Sequence, residues 1–199
     1  MLLLALIGIG DAWALPGGLR VGVVHAGTAV AVTDGAAPVC RPLVADALDV
    51  CLRVRAGGEE RWAEQSDLDV WRVDASEAWA VVARRAGRRA RASMRRVEVE
   101  GLDASYWQAD RGDGWAGAIL LRPDVAVAWL GPGVHVAAPS FDVVLAWAPQ
   151  GRDVDLVMAV GAADMFAAQA RPVHDGVFAI GPQGWTLYGT ATQPSGAPR

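Results

Sequence analysis

The sequence predicts an α+β fold: a mostly antiparallel sheet packed by two or three helices. Three observations point there. Short valine-rich runs come in groups, with helical patterns between the groups and not after every run, which disfavours a doubly wound parallel sheet. The apolar spacing changes from helical to alternating near Met94. Hydrophobic residues make up 53% of the chain and charged residues 20%, so there is ample material for an interior and no signature of disorder. At 199 residues one domain is expected, over residues 15–190, followed by a flexible, polar, proline-bearing tail at 191–199.

The N-terminal "MLLLALIGIGDAWALPGG" has an apolar run from Leu2 to Gly10 and small residues at Ala12 and Ala14, a spacing that signal peptidase accepts. No basic residue precedes the run and Asp11 follows at once. The preferred reading keeps residues 1–14 as a buried apolar segment of a cytoplasmic protein; the alternative is export after cleavage at Ala14. No stretch reaches the roughly 18 uninterrupted apolar residues of a membrane span. "RVGVV" and "TAVAV" then bracket "HAG" as a pair of strands. In "RPLVADALDVCL", Leu43, Ala47, Leu48 and Cys51 fall at helical spacing with Pro42 in the first turn, which predicts a helix from Pro42 to Leu52. Such a helix would hold Cys40 and Cys51 roughly 16 Å apart, so two buried thiols are expected ahead of a disulfide, with a redox or nucleophilic role last.

"RAGGEE" is a turn, and "RWAEQSDLDVW" gives a short strand and a small helix capped at Ser66 or Asp67. Asp74 or Ser76 ahead of Glu77 is a capping signal for a helix through "DASEAWAVVARRAGRRARA". "MRRVEVEG", "SYWQAD" and "WAGAILL", the last two flanking the turn "RGDG", are three consecutive antiparallel strands. "RPDVAVAWL" is a short helix or extended crossover. "GVHVAAP" and "FDVVLAWAP" pair through Pro139 and Ser140. "RDVDLVMAVGAADMFAAQA" is a helix interrupted at Gly161, and "GVFAI" with "GWTLYG" closes as a hairpin. No internal repeat is evident.

The order "RWAEQSDLDVWRVDASEAWAVVARR", "GWAGAILLRPDVAVAW", then "GVHVAAPSFDVVLAWAP" followed by a helix resembles the YtpQ-like family of bacterial proteins over residues 59–188. What the resemblance implies is a fold, carried by core-packing motifs; it brings no catalytic residue.

The segment "RRAGRRARASMRR" packs seven arginines into residues 84–96 of a chain with net charge −4. All eighteen basic residues are arginines and lysine and asparagine are absent, the pattern of a GC-rich coding sequence, so arginine itself carries little functional information. With residues 75–96 as one helix, Trp79, Val82, Ala86 and Ala90 share a face and Arg84, Arg88, Arg91 and Arg95 form the opposite stripe, widened by Arg85, Arg89 and Arg96. A solvated face explains this first. An anionic protein or membrane surface comes second, and nucleic acid last, because no aromatic residue interleaves between Trp79 and Tyr106.

His25, His135 and His174 sit at no metal spacing and are expected as separate histidines at strand ends or turns; no metal or cofactor is expected. Ser140 in "PSFD" lacks the glycine-flanked elbow of a hydrolase nucleophile. Asp110 and Asp113 in "DRGDG" fit a hairpin turn better than a calcium loop. Trp79, Trp129 and Trp147 lie within apolar runs and are expected in the core, whereas Trp107, Trp115 and Trp185 lie near turns. If a ligand cleft exists, Trp107, Asp110, Asp113, Trp115 and Trp185 are its candidate residues. The first functional expectation is a non-catalytic module that binds a protein partner or serves a structural role. A small-ligand binder or hydrolase-like enzyme built on that cleft is the alternative, and an arginine-mediated nucleic-acid binder the second alternative.

Overall fold

A computed structural model of the chain describes residues 19–26, 37–56, 59–110 and 114–190. The segments expected at 1–14, "TAVAV" and 191–199 lie outside the described residues. Among the described residues, ten strands form two antiparallel sheets. The smaller contains β1 (Arg20–His25), β2 (Cys40–Val44), β3 (Leu48–Ala56) and β4 (Glu59–Trp62). Two helices follow, α1 (Gln65–Trp71) and α2 (Ala75–Arg89). The larger sheet has the order β10-β9-β7-β8-β6-β5, built from β5 (Met94–Glu98), β6 (Ser105–Ala109), β7 (His135–Ser140), β8 (Val143–Trp147), β9 (Gly176–Gly181) and β10 (Gly184–Thr190). A 3-10 turn (Ala116–Ile119) and α3 (Pro123–Leu130) lie between β6 and β7, and α4 (Arg152–Ala168) between β8 and β9. The α+β class with mostly antiparallel pairing is as the sequence predicts.

The predicted helix over 42–52 is instead a hairpin. Leu48, Val50, Leu52 and Val54 of β3 share one face and are all buried, Cys51 and Arg53 on the other face are buried too, and this two-residue strand pattern prevails over the coincident helical spacing. The chain reverses through Asp46, which adopts the left-handed conformation at φ 59°. β1 runs along one edge of β3. The other edge is shared end to end by β2 and β4, stitched by the Val39 amide donating to the Ala63 carbonyl. In this register Cys40 faces Cys51 directly, their Cα atoms 4.0 Å apart, and the two form a disulfide. The expectation of two separate thiols fails with the helix it rested on.

Other boundaries shift for local reasons. Glu64, and not Ser66 or Asp67, caps α1, with Asp67 reciprocating as the N3 partner. α2 starts as expected: the Glu77 amide donates to Asp74 at 2.8 Å and the Asp74 amide to Glu77 at 3.0 Å. It ends at Arg89, so Arg95 and Arg96 belong to β5. "WAGAILL" is not a strand. Its 3-10 turn is buried on every side, and Gly117 lets Val23 of β1 approach where a Cβ would collide. Pro139 and Ser140 lie inside β7, and the β7–β8 reversal falls at Phe141 and Asp142. α4 continues through Gly161 without interruption for 17 residues.

The main core lies on one face of the large sheet, where Val136, Ala138, Val144, Ala146 and Phe178 meet β1, β3, α2 and the 3-10 turn. The alternate side chains, Ala137, Leu145, Trp147 and Val177, form a second cluster under Met158 and Ala162 of α4. Arg53 joins the two sheets. This arginine is 7% exposed, holds Glu60 at 2.9 Å, lies 3.8 Å from Asp142 and places its guanidinium 3.9 Å above the Phe141 ring.

Candidate functional site

The predicted cleft residues disperse. Trp115 and Trp185 are buried in the main core, Trp185 donating its indole N–H to the Leu120 carbonyl at 2.8 Å. Trp107 leans on Trp129 of α3, ring centres 4.5 Å apart. Asp110, just after β6, receives Arg95 Nη2 at 2.7 Å and Gln108 Nε2 at 2.9 Å, while the Tyr106 hydroxyl donates to Gln108 at 3.3 Å. Asp113 lies outside the described residues. The four described positions therefore serve two buried packing sites, one tryptophan pair and one surface hydrogen-bond chain.

Of the arginine stripe, Arg84 and Arg88 are exposed on the outer face of α2. Arg91, beyond the helix end, carries its guanidinium 5.4 Å above the Trp129 ring. Arg95 sits on a strand and is held by Asp110, so the stripe is not one helical face.

The histidines are less separate than their spacing implies. His25, at the end of β1, stacks on His174, ring centres 5.5 Å apart and planes 12° from parallel. The Gly176 amide donates to His174 Nδ1 at 2.8 Å, so that nitrogen is an acceptor and the imidazole is neutral. Burial lowers the His174 pKa from its ordinary value; Asp175 opposes this and His25 reinforces it. His135 opens β7 with 4% of its surface exposed, against Trp147 and with the Tyr188 ring 4.5 Å away. Its Nδ1 lies 3.7 Å from Asp155 Oδ1, beyond hydrogen-bond reach, and that oxygen accepts the Trp147 indole N–H at 3.1 Å. Burial holds the His135 pKa below its ordinary value, with Asp155 pulling the other way.

A histidine beside an aspartate is half of a nucleophile-activating pair, but Ser140 lies at the opposite end of β7, roughly 17 Å along the strand. Among the described residues no group of three histidine, cysteine, aspartate or glutamate side chains is placed to hold a metal ion. No protein family, curated protein or solved structure matches this chain. Geometry alone therefore carries the functional reading.

What sequence reasoning missed is the outer face of α4. Met158 and Ala162, with Val154 and Met165, face the sheet. Leu156, Val157 and Val160 point the opposite way and are 42%, 46% and 45% exposed. Exposed Asp153 and Asp164 flank them on the same stripe. An amphipathic surface helix carries one apolar stripe, and a helix apolar on both sides has the composition of one buried on both sides. The signal was present in "DLVMAV", which holds more apolar residues than a single stripe can use. No helix among the described residues is long and apolar enough to cross a membrane, so that solution is not open to α4.

Proposed function

We propose that this protein is a non-catalytic interaction module whose docking surface is the outer face of α4. The observation that supports it is the exposed Leu156, Val157 and Val160 row, an apolar strip with exposed Arg152 and Asp153 at one end and exposed Asp164 at the other. Its partner is a protein segment that presents apolar side chains next to arginine or lysine, since Asp164 leaves negative charge at the C-terminal end of the strip while Arg152 offsets Asp153 at the other. Kinship with the YtpQ-like proteins over residues 59–188 belongs to this reading, as a relation of fold.

The reading includes location. Disulfides persist in oxidising compartments and are rare in the cytosol, so the Cys40–Cys51 bond supports export after Ala14 over cytoplasmic residence.

A photoreactive residue placed at Val157 or Val160 in the producing cells, with the exposed Arg55 of β3 as a control position, tests the docking surface. The expected result is one discrete adduct from both α4 positions and none from position 55, the crosslinked peptide carrying apolar residues with basic residues within a helical turn. Absence of an adduct, equal adducts from the control, or an acidic crosslinked peptide would overturn it.

A further inference from the structure

Folding gathers on one face groups that the linear sequence keeps apart. Arg122, which caps α3, donates to the Ala83 carbonyl and packs where a side chain at Gly87 would collide, while Arg91 covers Trp129 at the far end of α3. α3 therefore starts beside the later turns of α2 and ends near Arg91. The outer surface of α2 presents Arg84 and Arg88 on successive turns with Arg91 beyond the end, all exposed, whereas Arg89 at the helix end is turned toward the side of Val82 and Ala86. Among the described residues Arg84, Arg88 and Arg89 form no ion pair. Next to Arg91 stand the half-buried indoles of Trp129 and Trp107.

We infer that this arginine and tryptophan face docks on an anionic bilayer surface. A chain of net charge −4 that groups three exposed cations, Arg84, Arg88 and Arg91, on one face approaches a negative plane with that face foremost, and each cation near such a surface adds attraction. The acids nearest in sequence do not cancel it. Glu98 is engaged by Arg96 at 3.1 Å, and Glu98, Glu100 and Asp103 cluster at the β5–β6 turn, Glu98 being roughly 13 Å along the strand from Met94. That exceeds a Debye length of about 10 Å at 0.1 M salt.

The same cations could meet single-stranded nucleic acid, and the ring geometry decides against it. Base stacking needs a free aromatic face. The Trp129 ring has Arg91 over it and Trp107 tilted against it at 58°, so the pair is committed to its own contacts. The cations also lie on the convex outer side of a helix, a shape suited to a plane.

Co-sedimentation of the full chain with vesicles of phosphatidylglycerol and phosphatidylcholine, and with phosphatidylcholine alone, is the test, at about 0.05 M and about 0.5 M salt. Binding is expected only to the anionic vesicles and only at the lower salt. Arg84→Gln/Arg88→Gln/Arg91→Gln, which keeps good helix formers, should lower partitioning by about five-fold per charge, on the order of a hundred-fold together. The corresponding triple Arg→Lys variant should keep nearly all of it, and Arg152→Gln on α4 should change little. Circular dichroism verifies that each variant is folded. The proposal falls if anionic vesicles are not bound, if the glutamine and lysine variants bind alike, or if a labelled oligothymidine binds more tightly than the vesicles at equal salt.

Discussion

Reducing the Cys40–Cys51 bond perturbs the unfolded chain without changing a single residue. The cysteines are 11 positions apart, and the loop-entropy relation for a closure of that size gives about 2.8 kcal/mol at room temperature. The hairpin turn at 45–47 closes the same loop in the folded state, so the difference is carried mainly by the unfolded ensemble. With a urea slope of about 2 kcal/mol/M, the unfolding midpoint of the reduced chain should fall by about 1.4 M. Urea titrations followed by tryptophan fluorescence, with thiols counted on the same samples, provide the assay. The oxidised chain should weigh about 2 Da less than the reduced one. If the chain purified from its own cells has two free thiols that no oxidant joins while it stays folded, the β2–β3 register is wrong and the helix over 42–52 returns. If the bond forms but reduction leaves the midpoint unmoved, the register stands and the entropic reasoning fails.

Three other outcomes follow from named contacts. Asp74→Ala removes the side chain that accepts the Glu77 amide, and should cost about 1 kcal/mol in a denaturant titration; an unchanged midpoint would deny the cap. Gly22→Ala drives a Cβ into Phe141, Trp62 and Arg53 at the junction of the two sheets, and should cost about 1–3 kcal/mol, with a wild-type melting temperature as the contrary result. Both His135 and His174 have folded pKa values below the ordinary histidine value, so the unfolded chain takes up their protons first. Stability should be full above about pH 6.5, decline as pH falls from there to the depressed folded values, and level off below them, and His135→Gln should flatten part of that slope. A flat profile in wild type between pH 7 and pH 5 would contradict it.

The elements that were legible in the sequence are those whose signal is local and unopposed. Asp74 and Glu77 announce the start of α2, Pro123 opens α3, and the paired runs around Gly181 and Gly184 give the last hairpin. The failures came where two periods coexist or where a run has none. Residues 43–51 satisfy a helical spacing by accident, and the true strand pattern extends only three residues further, to Val54. "WAGAILL" is apolar throughout because it is buried throughout, and such a run does not distinguish strand from 3-10 turn. The candidate cleft failed for another reason. Proximity to a turn places Trp115 and Trp185 near chain reversals, but says nothing of which side of the sheet they enter, and both enter the core. Long-range meetings such as Arg91 over Trp129, or His25 on His174, depend on strand order and leave no trace in local spacing.

The two proposed surfaces stand in a fixed relation because the large sheet has two faces. α2 packs into the main core through Trp79, Val82 and Ala86, on the side of Val136 and Ala138, whereas α4 covers Ala137, one residue between them and on the opposite side. A bilayer beneath α2 and a protein partner on α4 would therefore occupy opposite sides of one six-stranded sheet and not compete for space. The consequence is additive and measurable. Val157→Asp/Val160→Asp should abolish the α4 adduct and leave vesicle binding as in wild type, and the arginine-to-glutamine triple should do the reverse. Coupled losses would mean that one surface serves both contacts, and the picture of a membrane-apposed adaptor with two independent faces would have to be given up.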